Sequence, residues 1–181
     1  IHVDAKVEML PKPMYGMYHT IYSTKDNPLV SILIPNYNHK DILKTCIDSL
    51  YKVNTYKNFE IVIVENNSTE KEVFDYYEEL QKEHDNVCVV TYKGEFNFSK
   101  INNFGMKYTK GDYVLLLNND TEIMEPTALS EMVGCILRDE VGAVGARLLY
   151  ADDTIQHAGI VLGFIGYAGH VNYGLSKDEH G

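Results

Sequence analysis

The sequence predicts an α/β fold in which helices flank a mostly parallel, Rossmann-like sheet. Three observations support this class. Short apolar runs alternate with segments whose apolar residues recur at helical spacing. The runs do not alternate between apolar and polar residues, as strands with one solvent-exposed face do. This absence of alternation is typical of parallel strands that are covered on both faces. Short loops join the elements, which favours right-handed crossovers between neighbouring strands.

The first part of the chain is predicted to lead into the sheet. Residues 1–28 hold three of the five prolines and show no clear period, which indicates a lead-in or linker. A core strand over residues 30–34 is expected to end at Pro35, because proline cannot donate to a strand ladder. A helix follows, with a core face formed by Ile42, Leu43, Cys46, Ile47 and Leu50.

The next two strands are predicted over residues 59–64 and 86–92. Between them, Thr69 and Glu72 have the spacing of a capping box, which predicts the start of a helix. The apolar stripe of this helix consists of Val73, Phe74, Tyr77 and Leu80. Each strand is thus followed by a helix that can cover one face of the sheet.

The second half of the chain continues the alternation. Ser99 is a good N-cap for a helix over about residues 100–108. The apolar run over residues 113–117 predicts a central strand, and Pro126 lies near the start of a further helix. Residues 141–150 are predicted as another strand.

The charge and the cysteines exclude several classes of protein. A formal net charge of −10 argues against a nucleic-acid-binding surface, which needs a basic face. Any phosphate ligand must then be held by helix N-termini, a few lysines or a metal ion. No apolar run is long enough to span a membrane. The cysteines lack metal-site spacing, which indicates reduced thiols and a cytoplasmic protein; they are Cys46, Cys88 and Cys135.

Two regions are predicted after the lead-in. Residues 29–150 are expected to form a ligand-binding α/β domain, and residues 151–181 the start of a further region that the chain does not complete. The chain begins without methionine, so we expect a fragment of a longer protein. His157 and His170 lie in the glycine-rich second region. A lone histidine in such a loop is more often structural or exposed than a metal ligand.

Polar side chains collect after four of the predicted strands or loops. These clusters are residues 35–38, 65–68, 96–103 and 118–120. In open α/β sheets, ligands bind outside the carboxyl ends of the strands. Each cluster alone could be a turn or a helix cap. Four of them at one edge of the sheet predict a binding site.

The order of these motifs resembles the family 2 glycosyltransferases, inverting enzymes with the GT-A fold that include rhamnosyl-type transferases of polysaccharide synthesis. The similarity covers roughly residues 29–175. The matching stretches are residues 30–38, 62–68, 103–105, 110–113, 117–121, 142–148 and 156–159. A GT-A fold is therefore the form of the α/β class that we expect.

The resemblance implies an activity and its partners. The donor would be a nucleotide-diphosphate sugar (UDP-, dTDP- or GDP-sugar), and a divalent metal, Mn²⁺ or Mg²⁺, would be the cofactor. The acceptor would be a glycan or a lipid-linked glycan used in cell-surface polysaccharide synthesis. The full-length protein would then be cytoplasmic, with peripheral association at the inner face of the membrane.

The resemblance also implies which residues bind the donor. Tyr37 offers a ring face for the base. Glu65 replaces the aspartate that the family uses for the base or ribose, so that role falls to the longer acid or to Asn67. The full predicted set is Pro35, Tyr37, Asn38, Glu65, Asn67, Ser68, Lys100, Asn103, Asn118 and Asn119.

The stretch Asn118-Asn119-Asp120 stands where the family has its Asp-x-Asp motif. A metal held there would act as the Lewis acid for departure of the diphosphate. Asp120 is the one carboxylate of this stretch, and Asn118 offers a neutral oxygen. We therefore expect metal binding that is weak alone and stronger together with a nucleoside diphosphate. The alternative is that Asp120 only caps the next helix.

The catalytic residues are not identified from the sequence. Inverting transfer needs a general base near the acceptor hydroxyl. In the family this acid lies well after the metal motif, and Asp152 and Asp153 look like a turn, so we expect little transfer activity from this fragment. A non-catalytic nucleotide-sugar-binding module is the alternative. A dinucleotide or P-loop protein is disfavoured because neither glycine motif is present.

Overall fold

The computed structural model describes residues 4–10, 16–164 and 167–178. The chain divides into two compact units, Ile1–Ser130 and Glu131–Gly181. The predicted boundaries at residues 28 and 150 stay predictions. Within the part of the chain that is described, no helix has the length and apolar character needed to cross a membrane.

The predicted lead-in contains an antiparallel hairpin. Its strands are β1 (Ala5–Met9) and β2 (Tyr18–Tyr22), which pair from Ala5 opposite Tyr22 to Met9 opposite Tyr18. Part of the lead-in lies outside the described residues.

The first unit is built around a parallel sheet of four strands. The strands are β3 (Val30–Asn36), β4 (Phe59–Glu65), β5 (Val87–Thr91) and β6 (Tyr113–Leu116). They lie in the order β5-β4-β3-β6, and every neighbouring pair is parallel. The predicted α/β class with a parallel sheet is confirmed.

Helices follow the strands as predicted. They are α1 (Lys40–Lys52), α2 (Lys71–Glu83), α3 (Phe98–Gly105), which continues as a short 3-10 turn (Met106–Tyr108), and α4 (Ala128–Ile136). The amphipathic spacing of α1 buries four residues of the predicted core face, Leu43, Cys46, Ile47 and Leu50. The fifth predicted residue, Ile42, is exposed, so its place in the core face was predicted wrongly.

The two central strands are buried on both faces. Leu33 and Val62 pack with Ile101 of α3 on one face. Because side chains alternate along a strand, Ile32 and Ile61 point to the other face, and both are also fully buried. The absence of polar alternation therefore has the predicted cause in β3 and β4. The central position predicted for the run over residues 113–117 is wrong, because β6 lies at the edge of the described sheet and its Leu116 is exposed.

Strand β3 runs two residues further than predicted, to Asn36, although it contains Pro35. Residues along a strand between two parallel neighbours bond alternately to one neighbour and the other. The Leu33 carbonyl accepts from the Leu117 N–H at 3.0 Å, and the Asn36 carbonyl accepts from the Asn66 N–H at 2.9 Å. Pro35 therefore faces the β6 side, where the ladder ends, so its missing N–H removes no interior bond.

The predicted capping box of α2 is wrong. The helix begins after Glu70, and neither Thr69 nor Glu70 caps it with its own side chain. Instead, the Asn38 side-chain oxygen accepts from the N–H of Thr69 at 2.8 Å and from that of Glu70 at 3.2 Å. A residue more than 30 positions earlier in the chain thus satisfies the N-terminal donors of the helix, which local spacing does not reveal.

Helix α3 also begins at a different cap. Asn97, not Ser99, precedes the helix, and its side chain accepts from the Lys100 N–H at 2.9 Å. The helix lies close to the sheet, because a Cβ added to Gly105 would come within 2.5 Å of a methyl carbon of Leu33. Glycine at this position allows the close approach.

The second unit contains two short antiparallel pairs. They are β7 (Leu148–Leu149) with β8 (Ile155–His157), and β9 (Ile160–Phe164) with β10 (Tyr167–His170). The predicted strand over residues 141–150 is wrong for most of its length. Gly142 and Gly145 interrupt the apolar run, and glycine weakens a strand because it has no side chain to pack.

Candidate functional site

A cleft of about 360 Å³ lies at the carboxyl ends of the sheet strands in the first unit. Each of the four predicted polar clusters contributes at least one residue to its wall. The lining residues are Pro35, Asn36, Tyr37, His39, Asn66, Phe96, Phe98, Ile101, Asn118, Asn119 and Asp120. The sheet topology therefore brings the clusters together, as the parallel order of the strands predicts.

The turn after β6 presents one carboxylate to the cleft. The backbone closes through a bond from the Thr121 N–H to the Asn118 carbonyl at 3.2 Å. Asp120 is exposed, and its carboxylate makes no hydrogen bond or ion pair with any other residue that the structure describes. This acid is therefore available to a ligand.

A buried thiol lies beneath the same turn. The Cys46 thiol donates to the Asn118 carbonyl at 3.7 Å. Burial, with a smaller contribution from the negative charge of Asp120, raises the pKa of Cys46 to about 12. The group therefore stays a neutral thiol, consistent with the reduced cysteine that the sequence predicts.

Asn119 is held by a buried hydrogen-bond network. Its side-chain nitrogen donates to the Asn36 side-chain oxygen at 2.6 Å. The Asn36 amide donates in turn to the Tyr77 hydroxyl at 2.8 Å, and Tyr77 donates to Glu65 at 2.7 Å. Burial first, and then the Glu65 carboxylate, raise the pKa of Tyr77, so its hydroxyl remains a donor. This network connects the turn after β6 with β3, α2 and β4.

Glu65 has its oxygens occupied by the protein itself. It is almost fully buried, and it accepts from the Ser68 N–H at 2.5 Å and from the Ser68 hydroxyl at 2.6 Å. The Asn38 N–H donates to the Ser68 hydroxyl at 2.7 Å. The loops after β3 and β4 are thus joined to one carboxylate, and Glu65 does not line the cleft.

The loop residues Asn38 and Asn67 adopt left-handed backbone conformations, with φ of 50° and 63°. Asparagine tolerates this region better than most residues. The Asn67 side chain donates to the Gly94 carbonyl at 2.7 Å, and Asn66 donates to the same carbonyl at 3.0 Å. These bonds attach the loop after β4 to the segment that carries Phe96.

Three aromatic rings in the cleft wall are exposed to solvent. The exposed fractions are 51% for Tyr37, 74% for Phe96 and 48% for Phe98. Exposed aromatic rings in a concave site offer flat apolar surfaces for a planar ligand. Tyr37 was predicted individually from the sequence, whereas Phe96 and Phe98 were not, although their place in the polar cluster over residues 96–103 was a usable signal.

The predicted donor-binding and metal-binding residues fall into two groups. Those that line the cleft are Pro35, Tyr37, Asn118, Asn119 and Asp120. Those outside its lining are Asn38, Glu65, Asn67, Ser68, Lys100 and Asn103. Lining residues that were not predicted individually are Asn36, His39, Asn66, Phe96, Phe98 and Ile101.

The donor set around Asp120 suits a metal ion that is shared with a ligand. Within residues 4–10, 16–164 and 167–178, no group of three or more histidine, cysteine, aspartate or glutamate side chains is arranged to hold an ion. Mg²⁺ is commonly bound by one or two carboxylates, several waters and substrate phosphate oxygens. One exposed carboxylate in the wall of the cleft fits that pattern.

The family model described as Glycosyl transferase family 2 matches residues 31–168. The chain belongs to this family. The family resemblance predicted from the motifs is therefore confirmed.

Two relatives extend the similarity over most of the chain. The O-antigen biosynthesis protein RfbC of Myxococcus xanthus is 41% identical over 160 residues, which are 88% of this chain and 12% of the relative. The uncharacterized protein y4gI of Sinorhizobium fredii is 37% identical over 168 residues, 93% of this chain and 18% of that protein. This family 2 chain thus spans less than a fifth of the length of either relative.

A solved structure shares the fold. The mannosyltransferase PcManGT from Pyrobaculum calidifontis, in complex with GDP-Man and Mn²⁺, superimposes with a TM-score of 0.57 and 18% sequence identity. The match covers 67% of this chain and 36% of that chain. The predicted GT-A fold is confirmed.

Proposed function

We propose that this family 2 chain binds a nucleotide-diphosphate sugar and a divalent metal in the cleft. The sugar is transferred, with inversion, to a glycan or lipid-linked acceptor in cell-surface polysaccharide synthesis. The observation that carries the proposal is the free Asp120 carboxylate, which faces a cleft with three exposed aromatic rings.

The aromatic rings would bind the base of the nucleotide. Tyr37 and Phe98 are about half exposed and Phe96 more so, and the free-energy gain from covering them is available to a planar ligand. This part of the site would bind different bases with similar energy, because stacking depends little on base identity. We therefore expect base selectivity to come from amide groups such as that of Asn66, which lines the same cleft.

Asp120, with Asn118, would hold the divalent metal next to the diphosphate. When bound, the ion neutralises the charge of the departing diphosphate and acts as a Lewis acid. The protein as a whole carries a net charge of −10, so an anionic donor needs local compensation. A metal at Asp120 supplies it, and Lys100, exposed on the first turn of α3, is the protein cation that we assign to the same task.

The names of two similar proteins support this proposal. One relative is named for O-antigen biosynthesis, and the structural neighbour was solved with GDP-Man and Mn²⁺. The donor class and the metal proposed for this chain are of the same chemical kinds as those of the structural neighbour.

Thermal unfolding with a panel of nucleotides tests the proposal. UDP, dTDP, GDP and CDP are added separately, each with and without Mn²⁺. A ligand at about 100 times its dissociation constant stabilises the folded state by about 2.7 kcal/mol. We expect one nucleoside diphosphate to raise the Tm in a Mn²⁺-dependent manner.

Two aspartate variants make the test specific. Asp120→Asn should abolish the Mn²⁺-dependent part of the Tm shift. Asp85→Asn is the matched control, because Asp85 is exposed and precedes β5, at the opposite edge of the sheet. A panel without any shift would overturn the proposal. A shift that Mn²⁺ does not affect would favour a nucleotide-binding module without metal chemistry.

A further inference from the structure

Two histidines of the second unit, His157 and His170, lie with their rings against each other. Their Nδ1 atoms are 2.9 Å apart, and the ring planes are inclined by 82°. They are separated by 13 positions in the sequence and by the whole of β9. Neither belongs to the cleft described above.

The backbone holds both histidines in place. His157 is the last residue of β8 and pairs with Leu148, while His170 is the last residue of β10 and pairs with Ile160. Next to His170, the Val171 N–H donates to the Gly159 carbonyl at 3.0 Å. Side chains carried by paired strands keep their relative positions better than side chains on free loops.

The separation of the two nitrogens matches a pair of ligands on one metal ion. Imidazole nitrogens bind Zn²⁺ at about 2.0–2.1 Å, so two of them lie about 2.9 Å apart at right angles around an ion and about 3.3 Å apart at tetrahedral positions. The observed 2.9 Å equals the first value. Right-angled ligands are typical of the square-planar and tetragonal sites of Cu²⁺ and Ni²⁺.

We propose that His157 and His170 form a two-histidine binding site for a transition-metal ion such as Ni²⁺ or Cu²⁺. The described residues supply no third histidine, cysteine or carboxylate to this pair. His170 is exposed, so the site is open to solvent.

This site differs in chemistry from the metal position proposed at Asp120. Imidazole suits Ni²⁺, Cu²⁺ and Zn²⁺, whereas carboxylate, carbonyl and water ligands suit Mg²⁺ and Mn²⁺. Mn²⁺ should therefore act through the cleft and Ni²⁺ through the histidine pair. The two proposals can fail independently.

The distance of 2.9 Å would also suit a hydrogen bond between the rings, and a titration distinguishes the two interpretations. NiCl₂ is titrated calorimetrically into the tag-free, EDTA-treated protein and into His157→Gln, His170→Gln and His19→Gln. His19 lies in β2 of the first unit and is the matched control.

We expect one Ni²⁺ per wild-type chain and an affinity that falls in both His157→Gln and His170→Gln. Loss of an outer-shell partner of a metal ligand already costs about 10- to 100-fold in affinity, so loss of a ligand should cost about tenfold or more. His19→Gln should bind like the wild type. Absence of Ni²⁺ binding in the wild type, or equal binding in all variants, would overturn the proposal.

A second measurement needs no variant. Substoichiometric Cu²⁺ is paramagnetic and broadens the proton resonances of the side chains that bind it. The imidazole signals of His157 and His170 should broaden before those of the other histidines. Uniform broadening of all histidine signals would contradict the proposed site.

Discussion

The strand ends of β4 and β6 both carry acids, and the two acids have opposite surroundings. Glu65 is buried and accepts three hydrogen bonds, from Tyr77 and from the N–H and hydroxyl of Ser68. Asp120 is exposed in the cleft and makes no hydrogen bond to another described residue. The comparison shows that one edge of a sheet can use a carboxylate to hold its loops together and leave another for a ligand.

Glu65→Ala should have the largest effect on stability. Hydrogen bonds to charged groups contribute about 1.5–3 kcal/mol each, so we expect the free energy of unfolding to fall by about 3 kcal/mol or more. Glu65→Gln keeps one acceptor oxygen and should cost less. Urea denaturation measures both variants.

The control for this prediction is Glu79→Ala, which removes an exposed acid from α2. It should change the free energy of unfolding by no more than about 0.5 kcal/mol. A Glu65→Ala protein as stable as the control would show that the network does not hold the loops.

Tyr77→Phe should have the next largest effect. It removes the hydroxyl that joins Asn36 to Glu65 and leaves buried polar groups without a partner, at a cost of about 1–3 kcal/mol. The neighbouring Tyr76 offers a matched control, because its buried hydroxyl has no hydrogen-bond partner in the described structure. Tyr76→Phe should be neutral or slightly stabilising. Equal losses in both variants would contradict the assigned role of Tyr77.

Asn119→Ala and Asn118→Ala compare two adjacent amides. The Asn119 side chain donates to Asn36, which belongs to the buried network. Loss of this hydrogen bond should lower the free energy of unfolding by about 1 kcal/mol. The exposed side chain of Asn118 should contribute little to stability. If both substitutions destabilise the protein equally, the loss of stability comes from disturbing the turn after β6 and not from losing the hydrogen bond to Asn36. Thermal unfolding without ligand measures the difference.

Asp120→Asn should have the smallest effect on stability and the largest on ligand binding. Without ligand, its Tm should match that of the wild type, because the carboxylate has no protein partner to lose. When the nucleotide that stabilises the wild type is added, the Mn²⁺-dependent part of the Tm shift should disappear. A destabilised apo protein would mean that Asp120 has a structural role like that of Glu65, and the comparison would fail.

The sequence predicted the sheet well because its signals are local. Mostly apolar runs such as residues 30–34 and 59–64 identify strands buried on both faces, and the observed strands contain them. The same reasoning failed at residues 141–150. An apolar run becomes a strand only when a neighbour pairs with it, and here only Leu148 and Leu149 do so, with β8.

The cap of α2 shows a second limit of local reasoning. Thr69 and Glu72 have the right spacing, but Asn38 supplies the acceptor. Capping depends on which acceptor reaches the free N–H groups, and tertiary folding brought one from the end of β3.

By itself, the sequence determined the α/β class, the parallel strands and the edge at which the polar clusters meet. These follow from periodicity and from the rule that parallel strands share their carboxyl ends. Only the tertiary structure decided that Glu65 is bonded within the protein while Asp120 is free, and that His157 and His170 touch. Hydrogen bonds and ring contacts depend on distances between residues far apart in the chain, and residue spacing along the sequence does not encode those distances.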